Sequence, residues 1–236
     1  MKIAIMQPYF FPYLGYFSLI KNTDKFILLD TVQFIRHGWI ERNRILKPGE
    51  GWQYISVPLQ KHHRDTLIID IRIRNEEKWK EKIIAQLQHY KKKASYFSQV
   101  IGLLNRIFAV EYERIVDLNK FSLKVVCEYL GINTPIEIFS EMGIQIEPPK
   151  GPDEWALNIC KAIGDVDEYW NPPGGINFFD RLKYDKAGIK IKFLSINLTP
   201  YDQRRPTFEP GLSIIDVMMF NSKDEVNKML MNYDLI

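Results

Sequence analysis

The first twenty residues constrain the fold most strongly, because they read as a strand, a turn and a helix in immediate succession. Residues 2–6 (KIAIM) form an apolar run typical of a buried strand, and Gln7-Pro8 ends it because proline has no amide hydrogen for a sheet. Residues 14–20 (LGYFSLI) have the apolar spacing of a helix. In open α/β sheets such a unit binds ligands between the strand's carboxyl end and the helix's amino end, where free amides favour anions. The candidate substrate-binding residues of this stretch are Gln7, Tyr9, Tyr13, Gly15 and Tyr16.

Tyr13-Leu14-Gly15-Tyr16 stands where nucleotidyltransferases and pantothenate synthetase have His-x-Gly-His, and the surrounding stretch is similar to theirs. Both histidines are absent here. A neutral tyrosine can donate a hydrogen bond to a phosphate but carries no positive charge. The similarity implies a nucleotidyltransferase-like first strand, turn and helix. The alternative is that the aromatic residues simply fill one end of a core.

Composition narrows the class of protein. A chain of 236 residues with 46% hydrophobic content can bury one sizeable core or two small ones. No run approaches the roughly 18 apolar residues of a membrane span, and no signal-peptide pattern is visible, so we expect a cytoplasmic protein. The net charge of +3 is too small to predict a nucleic-acid partner but suits an enzyme with anionic substrates. Cys127 and Cys160 lie outside any metal-binding motif, so we expect two buried, reduced thiols and no metal site.

Strand and helix patterns alternate at both ends of the chain. This predicts a single α/β domain over residues 1–236, with a mainly parallel, Rossmann-like sheet and a helical insertion at 76–131. Ser95 and Asp117 are expected to cap helices of that insertion, and Gly131 to end its last helix in a left-handed turn. Further strands are predicted at 25–30, 52–58, 67–73, 136–139, 169–170 and 190–194. Helices are predicted at 76–90, 95–110, 117–130, 153–163, 176–187, 213–220 and 223–231.

Two candidate proton acceptors follow the second predicted strand. Asp30 stands at its carboxyl end, and His37 lies in the next segment. Histidine is the residue type most often used for proton transfer near neutral pH. Residues 31–44 mix charged, amide and aromatic side chains without a regular period, as site-forming loops do. A hairpin whose arginines face water is the alternative. Candidate substrate-binding residues in this segment are Gln33, Trp39, Asn43 and Arg44.

The second half of the chain offers three further groups. Gly174-Gly175 precedes a predicted helix and can let a backbone approach an anion, although double glycines also occur in ordinary tight turns. Arg204 and Arg44 have the guanidinium geometry that suits a diphosphate, the alternative being surface charge. Ser213 is expected to cap a helix, with Asp216 one turn later facing the same cleft as Gly15. Tyr201 and Gln203 complete the set of candidates. No Walker A, G-x-S-x-G or Rossmann glycine motif is present.

These residues together resemble the WbqC-like family, found among bacterial O-antigen and surface-polysaccharide genes. The resemblance extends over almost the whole chain. It departs from the family at Thr31, where members usually have a second aspartate next to the one matching Asp30. Any catalysis that needs two adjacent carboxylates would be affected by this difference. A glycine transferase role has been suggested for members that decorate amino sugars. The matching pieces are 6–17, Asp30 with 32–34, 38–40, 42–44, 57–58, Leu118-Asn119, 130–132, 174–175, Tyr201 with Gln203, and 208–216.

The resemblance and the residues lead to one main hypothesis and two rivals. The main hypothesis is an acyl or aminoacyl transferase, with glycine as one candidate group, that forms an amide on a nucleotide-linked amino sugar for O-antigen or surface-glycan assembly. The acyl donor is open between a thioester, free or carrier-bound, and an adenylate, and no cofactor is assigned. The rivals are a nucleotidyltransferase-like enzyme without the two histidines and a non-catalytic binding or scaffold protein of a glycan-assembly complex.

Overall fold

The computed structural model describes residues 1–236 and contains eight strands, six of which form the central sheet. The strands are β1 (Lys2–Met6), β2 (Lys25–Leu28), β3 (Arg42–Leu46), β4 (Trp52–Ser56), β5 (Ile136–Ile138), β6 (Glu168–Asn171), β7 (Lys190–Ile196) and β8 (Tyr233–Leu235). The sheet order is β5-β2-β1-β6-β7-β8, and every pairing is parallel except that of β8 with β7. Counted along the chain, these strands have the order 3-2-1-4-5-6 of a Rossmann fold. The predicted mainly parallel α/β fold is therefore confirmed.

The structure contains eight α-helices. They are α1 (Leu14–Asn22), α2 (Trp79–Gln86), α3 (Phe97–Phe108), α4 (Ile115–Leu130), α5 (Glu154–Ile163), α6 (Arg181–Lys186), α7 (Ile214–Phe220) and α8 (Lys223–Leu230). Short 3-10 helices lie at Ile68–Asp70, Gln88–Lys92, Phe139–Glu141 and Pro173–Gly175. None of these helices is long and apolar enough to span a membrane.

Side chains of each central strand alternate between two separate cores, as the strand period of two requires. Ile3 and Ile5 join a smaller core of 14 buried residues formed with α5 and α6. Ala4, Phe26 and Leu28 join a larger core of 50 buried residues, which includes α1, α4, α7 and α8 and continues into the chain between β2 and β5. Near-continuous apolar strands such as KIAIM are thus buried on both faces, which is the usual condition of a parallel sheet.

Between β2 and β5 the chain leaves the main sheet and forms a separate two-stranded hairpin and three helices. β3 and β4 pair antiparallel from Arg42–Ser56 to Leu46–Trp52. Residues 42–44 therefore lie on a strand, although the sequence placed them in a loop. The segment 67–73 is predicted to be a strand, but the structure has a 3-10 helix at Ile68–Asp70. Residues 67, 72 and 73 each form an isolated β-bridge to a different segment, because no neighbouring strand pairs with this segment along its length.

Several predicted helix ends differ from the structure. Ser95 does not cap α3, which begins at Phe97, and Asp117 lies inside the first turn of α4, where Arg114 holds its carboxylate. The helix predicted at 176–187 begins at Arg181, capped by Asp180. Gly131 ends α4 with a left-handed φ of 72°, as predicted. Ser213 caps α7, as predicted, by accepting a hydrogen bond from the amide of Ile215.

The strand order creates one topological switch point. From β1 the chain first builds outward through β2 and β5, and it then returns to the other side of β1 with β6, β7 and β8. The loops that leave β1 and β6 therefore separate at the carboxyl edge of the sheet and leave a crevice between them, where ligands bind in folds of this kind.

Candidate functional site

The loop that joins β1 to α1 is held in shape by donors from four other segments. Pro8 and Pro12 lack amide hydrogens, and the loop presents a row of carbonyl groups that need partners. Five acceptors, the carbonyl oxygens of residues 7, 8, 10, 11 and 12, each receive one hydrogen bond. Their donors are, in that order, Tyr16 Oη at 2.8 Å, Asn119 Nδ2 at 2.9 Å, Asn43 Nδ2 at 3.0 Å, Ser213 Oγ at 2.7 Å and the Ile214 amide at 2.9 Å.

Beside this loop lies a cavity of about 330 Å³ at the switch point. Met6 at the end of β1, Pro172 just after β6 and Leu198 just after β7 line it, so three neighbouring strand ends contribute. Four aromatic side chains form much of the remaining wall: Tyr9, Tyr13, Tyr16 and Trp39. The site therefore has the position and the apolar lining of a small-molecule pocket.

Arg44 is the one lining residue with a formal charge. Its guanidinium carbon lies 5.3 Å from the ring centre of Trp39 and 5.2 Å from that of Trp52, within the range of cation–π attraction. One nitrogen donates to the Gly211 carbonyl at 3.2 Å, whereas Nε is enclosed and has no hydrogen-bond partner. The arginines that form salt bridges are Arg72, Arg74, Arg106, Arg114 and Arg204. Arg44 is thus a cation with no acidic partner at the edge of an aromatic cavity.

Besides Arg44, two phenol hydroxyls of the cavity lining, those of Tyr9 and Tyr13, are available to bind a ligand. Burial raises the pKa of Tyr9 and of Tyr13, so both hydroxyls stay neutral and can donate hydrogen bonds. The Tyr16 hydroxyl is already used on the Gln7 carbonyl. Both ends of the Asn43 amide are also engaged, since Nδ2 donates to the Phe10 carbonyl and Oδ1 accepts from the amide of Arg44. One guanidinium and two hydroxyls therefore remain for a ligand, a set that suits an anion.

Gly15 affects the cavity indirectly. A Cβ at Gly15 would overlap the phenol ring of Tyr13, so the glycine lets that ring lie against α1 and form part of the wall. The sequence predicts Gly15 to be a substrate-binding residue, and in the structure the contact that requires a glycine there is the one with Tyr13. Gln7 likewise contributes its carbonyl to the loop and is not among the lining residues.

The two predicted proton acceptors and Gln33 lie outside the cavity lining. Asp30 is fully buried, and its carboxylate accepts from the amide and hydroxyl of Ser140 at 3.1 and 2.6 Å, which ties the end of β2 to the end of β5. His37 is exposed on a loop with a left-handed φ of 63°. Gln33 is exposed and donates to the Arg64 carbonyl at 2.7 Å. Their proposed roles in catalysis and binding stay predictions.

Gly174-Gly175 and Arg204 are also outside the lining. The two glycines form a 3-10 turn just after Pro172, six residues before α6 rather than at its start. A Cβ at Gly175 would overlap Asn171 and Phe179, so local packing accounts for this glycine. Arg204 is exposed and pairs with Asp202 at 3.1 Å.

Asp216, Tyr201 and Gln203 form a buried network next to the cavity. Asp216 has no exposed surface, so the expectation that it faces the cleft is wrong. Its carboxylate accepts hydrogen bonds from Tyr90 at 2.6 Å, from Tyr201, and from Gln203 at 3.2 Å. Burial raises its pKa to about 6, although these three donors oppose the shift. Ser213, also buried, connects Phe11 to α7 and does not line the cavity.

Sequence reasoning missed six residues of the site: Met6, Pro12, Trp52, Pro172, Leu198 and Gly211. Met6, Pro172 and Leu198 lie at or just after the carboxyl ends of β1, β6 and β7. A position at the carboxyl end of a predicted strand is a sequence signal that could have identified them. Trp52 could not be found in this way, because only the hairpin register brings it against Arg44.

Other chemistry-bearing groups are few. Cys127 and Cys160 are free and buried, as predicted, and burial raises the pKa of each thiol to about 12. No three His, Cys, Asp or Glu side chains gather into a group that could hold a metal ion.

Comparison with known proteins points to a single family. The sequence profile of the WbqC-like protein family matches residues 7–228. An uncharacterized protein of Mycobacterium tuberculosis is 30% identical over 222 residues, which cover 93% of each chain. No solved structure matches the chain.

Proposed function

This chain belongs to the WbqC-like protein family, and from that premise we propose that it binds an anionic small molecule in the cavity beside Arg44. The reaction we propose is transfer of an acyl or aminoacyl group, with glycine as one candidate, to the amine of a nucleotide-linked amino sugar for surface-glycan assembly. The observation that carries the proposal is Arg44 itself. A guanidinium that lies over two indole rings, lacks an acidic partner and faces a cavity is suited to binding a carboxylate or phosphate.

The size and lining of the cavity support a ring-sized group as its occupant. At about 330 Å³ it lies at the small end of ligand pockets, so it can take a single sugar or acyl group while the nucleotide extends outside. Four aromatic side chains offer flat apolar surface for that group, and Arg44 offers one positive charge.

Amide formation needs little beyond positioning and stabilisation of developing charge. The sugar amine attacks the donor carbonyl carbon, the bond from that carbon to the thiolate or nucleotide breaks, and the ammonium proton passes to the leaving group or to water. As the carbonyl oxygen gains negative charge, the hydroxyls of Tyr9 and Tyr13 can donate hydrogen bonds to it.

The test separates binding from chemistry. Calorimetry with a panel of uridine and thymidine diphosphate amino sugars should give binding that falls at least tenfold in Arg44→Met and is unchanged in Arg106→Met, which removes an exposed, salt-bridged arginine. Incubation with glycyl thioesters and glycyl adenylate should then raise the mass of the sugar by one acyl group. Equal affinity of wild type and Arg44→Met would contradict the binding proposal.

A non-catalytic binding protein is the second candidate, and one observation favours it. The lining contains no carboxylate, imidazole or amine side chain, and burial raises the pKa of each of its three tyrosines. Tight binding without any mass increase across the donor panel would support this candidate. Release of pyrophosphate from a nucleoside triphosphate would instead support the nucleotidyltransferase-like alternative.

A further inference from the structure

We propose that Asp216 is a positioning residue for Arg44, because its carboxylate is the point at which two separate supports of that guanidinium meet. The inference rests on the proposed function of Arg44 as the anion receptor. Asp216 is fully buried and cannot touch a ligand in the cavity, so any effect on binding must pass through neighbouring groups.

The first support is the loop that carries Gly211. Gln203 donates from Nε2 to Asp216 at 3.2 Å and to the Glu209 carbonyl at 3.0 Å, and its Oε1 accepts from the Glu209 amide at 2.9 Å. Glu209 lies two residues before Gly211, whose carbonyl accepts from the Arg44 guanidinium at 3.2 Å. Asp216 therefore orients the amide that fixes this loop, and the loop orients Arg44.

The second support is strand β3, which carries Arg44. The hydroxyl of Tyr90 donates to Asp216 at 2.6 Å and accepts from the amide of Leu46 at 2.9 Å. Leu46 lies two residues beyond Arg44 on the same strand, so its side chain is on the same face. Through Tyr90 and Gln203, the Asp216 carboxylate therefore holds both β3, which carries Arg44, and the loop whose Gly211 carbonyl accepts from Arg44.

A carboxylate is required at this point because three donors converge on it. Tyr90, Tyr201 and Gln203 all donate, and an ionised carboxylate accepts only, with room for four hydrogen bonds. An asparagine would direct its NH2 group at one of those donors. Asp216→Asn keeps the shape of the side chain but breaks one of the supports.

The Nε–H of Arg44 offers a direct measurement of its position. Because this nitrogen is enclosed, its proton should exchange slowly and give a distinct signal in a ¹⁵N–¹H correlation spectrum, identified by its loss in Arg44→Met. We expect the signal to shift or disappear in Asp216→Asn and in Gln203→Ala. It should stay in place in Asp153→Asn, which changes a buried carboxylate on the opposite face of the sheet.

Binding provides the second measurement. With uridine diphosphate glucosamine as the probe, we expect Asp216→Asn to weaken affinity about tenfold and to have no further effect in an Arg44→Met background. A purely structural role would give the same fractional loss in both backgrounds. If Asp216→Asn does not fold, Tyr201→Phe and Gln203→Ala decide. Tyr201→Phe removes one donor to Asp216. Gln203→Ala removes one donor to Asp216 together with both hydrogen bonds to Glu209.

The two proposals fail in different ways. Equal probe affinity in wild type and Arg44→Met removes the proposed function, whereas the Nε–H measurement still tests the positioning of Arg44. An unchanged Arg44 signal in folded Asp216→Asn and Gln203→Ala overturns the inference, whatever Arg44 binds.

Discussion

At the scale of single residues, the arginines of this protein differ in what their guanidinium groups contact. Arg205 donates to the carbonyls of Gly51, Lys47 and Gly49 at 2.7–3.0 Å and so holds the turn of the β3–β4 hairpin. Arg44 makes one such bond and otherwise faces two indole rings and the cavity. Arg205 therefore contributes to stability, and Arg44 is available for binding.

This contrast predicts opposite effects of the same substitution. Arg44→Met should change the free energy of unfolding by no more than about 1 kcal/mol, because the lost cation–π attraction is offset by relief of an unpaired, half-buried charge. Arg205→Met should cost about 1–3 kcal/mol, because three carbonyls lose a charged donor. Urea unfolding of both variants tests this, and a larger loss in Arg44→Met than in Arg205→Met would contradict it.

Asp216 predicts a pH dependence whose sign follows from its raised pKa. The pKa is about 6 in the folded protein and near 3.9 in an unfolded chain, so the folded state binds this proton more tightly. Between about pH 4 and 6 the contribution of Asp216 to the free energy of unfolding should therefore fall as the pH rises. The facing groups are Tyr90 and Tyr201, which stay neutral in this range because their pKa values are raised, and the guanidinium of Arg205.

Urea unfolding at several pH values compares wild type with Asp216→Asn. Relative to the variant, the wild type should lose stability as the pH rises from about 4 to 6 and show no further relative change above about 7. A wild type that gains stability relative to the variant over the same interval would show that the folded-state pKa is lowered instead.

At the scale of elements, α1 and the loop before it are shaped by contacts with other segments. α1 has no side-chain cap, and Tyr13 precedes it in extended conformation with its ring over Gly15. The loop's carbonyls are satisfied by α1, β3, α4 and α7. The wall of the cavity therefore depends on elements far apart in the chain.

Gly15→Ala tests this dependence. A glycine-to-alanine change inside a helix normally stabilises it by about 0.5–1 kcal/mol, but here the new methyl group must displace the Tyr13 ring. We expect probe binding to weaken severalfold and no gain in stability. Gly102→Ala in α3 is the matched control, because a Cβ there meets nothing within 4 Å, and it should stabilise the protein without affecting binding.

At the scale of the whole molecule, the strand order decides where the cavity lies. β1, β6 and β7 are adjacent in the sheet although the chain places more than 160 residues between Met6 and Pro172. Their carboxyl ends bring Met6, Pro172 and Leu198 to the same opening. The cavity therefore forms only when β1, from the start of the chain, has paired with β6 and β7, from its second half.

Leu198→Trp tests the position of the cavity at this edge. Leu198 is 36% exposed, so a larger side chain can be accommodated without strain in the core but would obstruct the cavity. Probe binding should fall at least tenfold while the midpoint of thermal unfolding stays within about 2–3 °C. Leu235→Trp, on β8 and 41% exposed, is the control and should bind as wild type does. Unimpaired binding by Leu198→Trp would place the ligand elsewhere.

The sequence by itself determined the strand-turn-helix unit at the N-terminus, the parallel α/β class, the left-handed end of α4 at Gly131 and the cap at Ser213. These follow from interactions between near neighbours or from burial on both faces of a strand. Only the tertiary structure decided that 67–73 is not a strand and that Asp216 is buried. It also showed that Arg44, and not Arg204, lies at the cavity. The reason is that these features depend on contacts between residues far apart in the chain. Ser213 and Phe11, for example, are hydrogen-bonded although 202 residues separate them. Local pattern carries no information about such contacts.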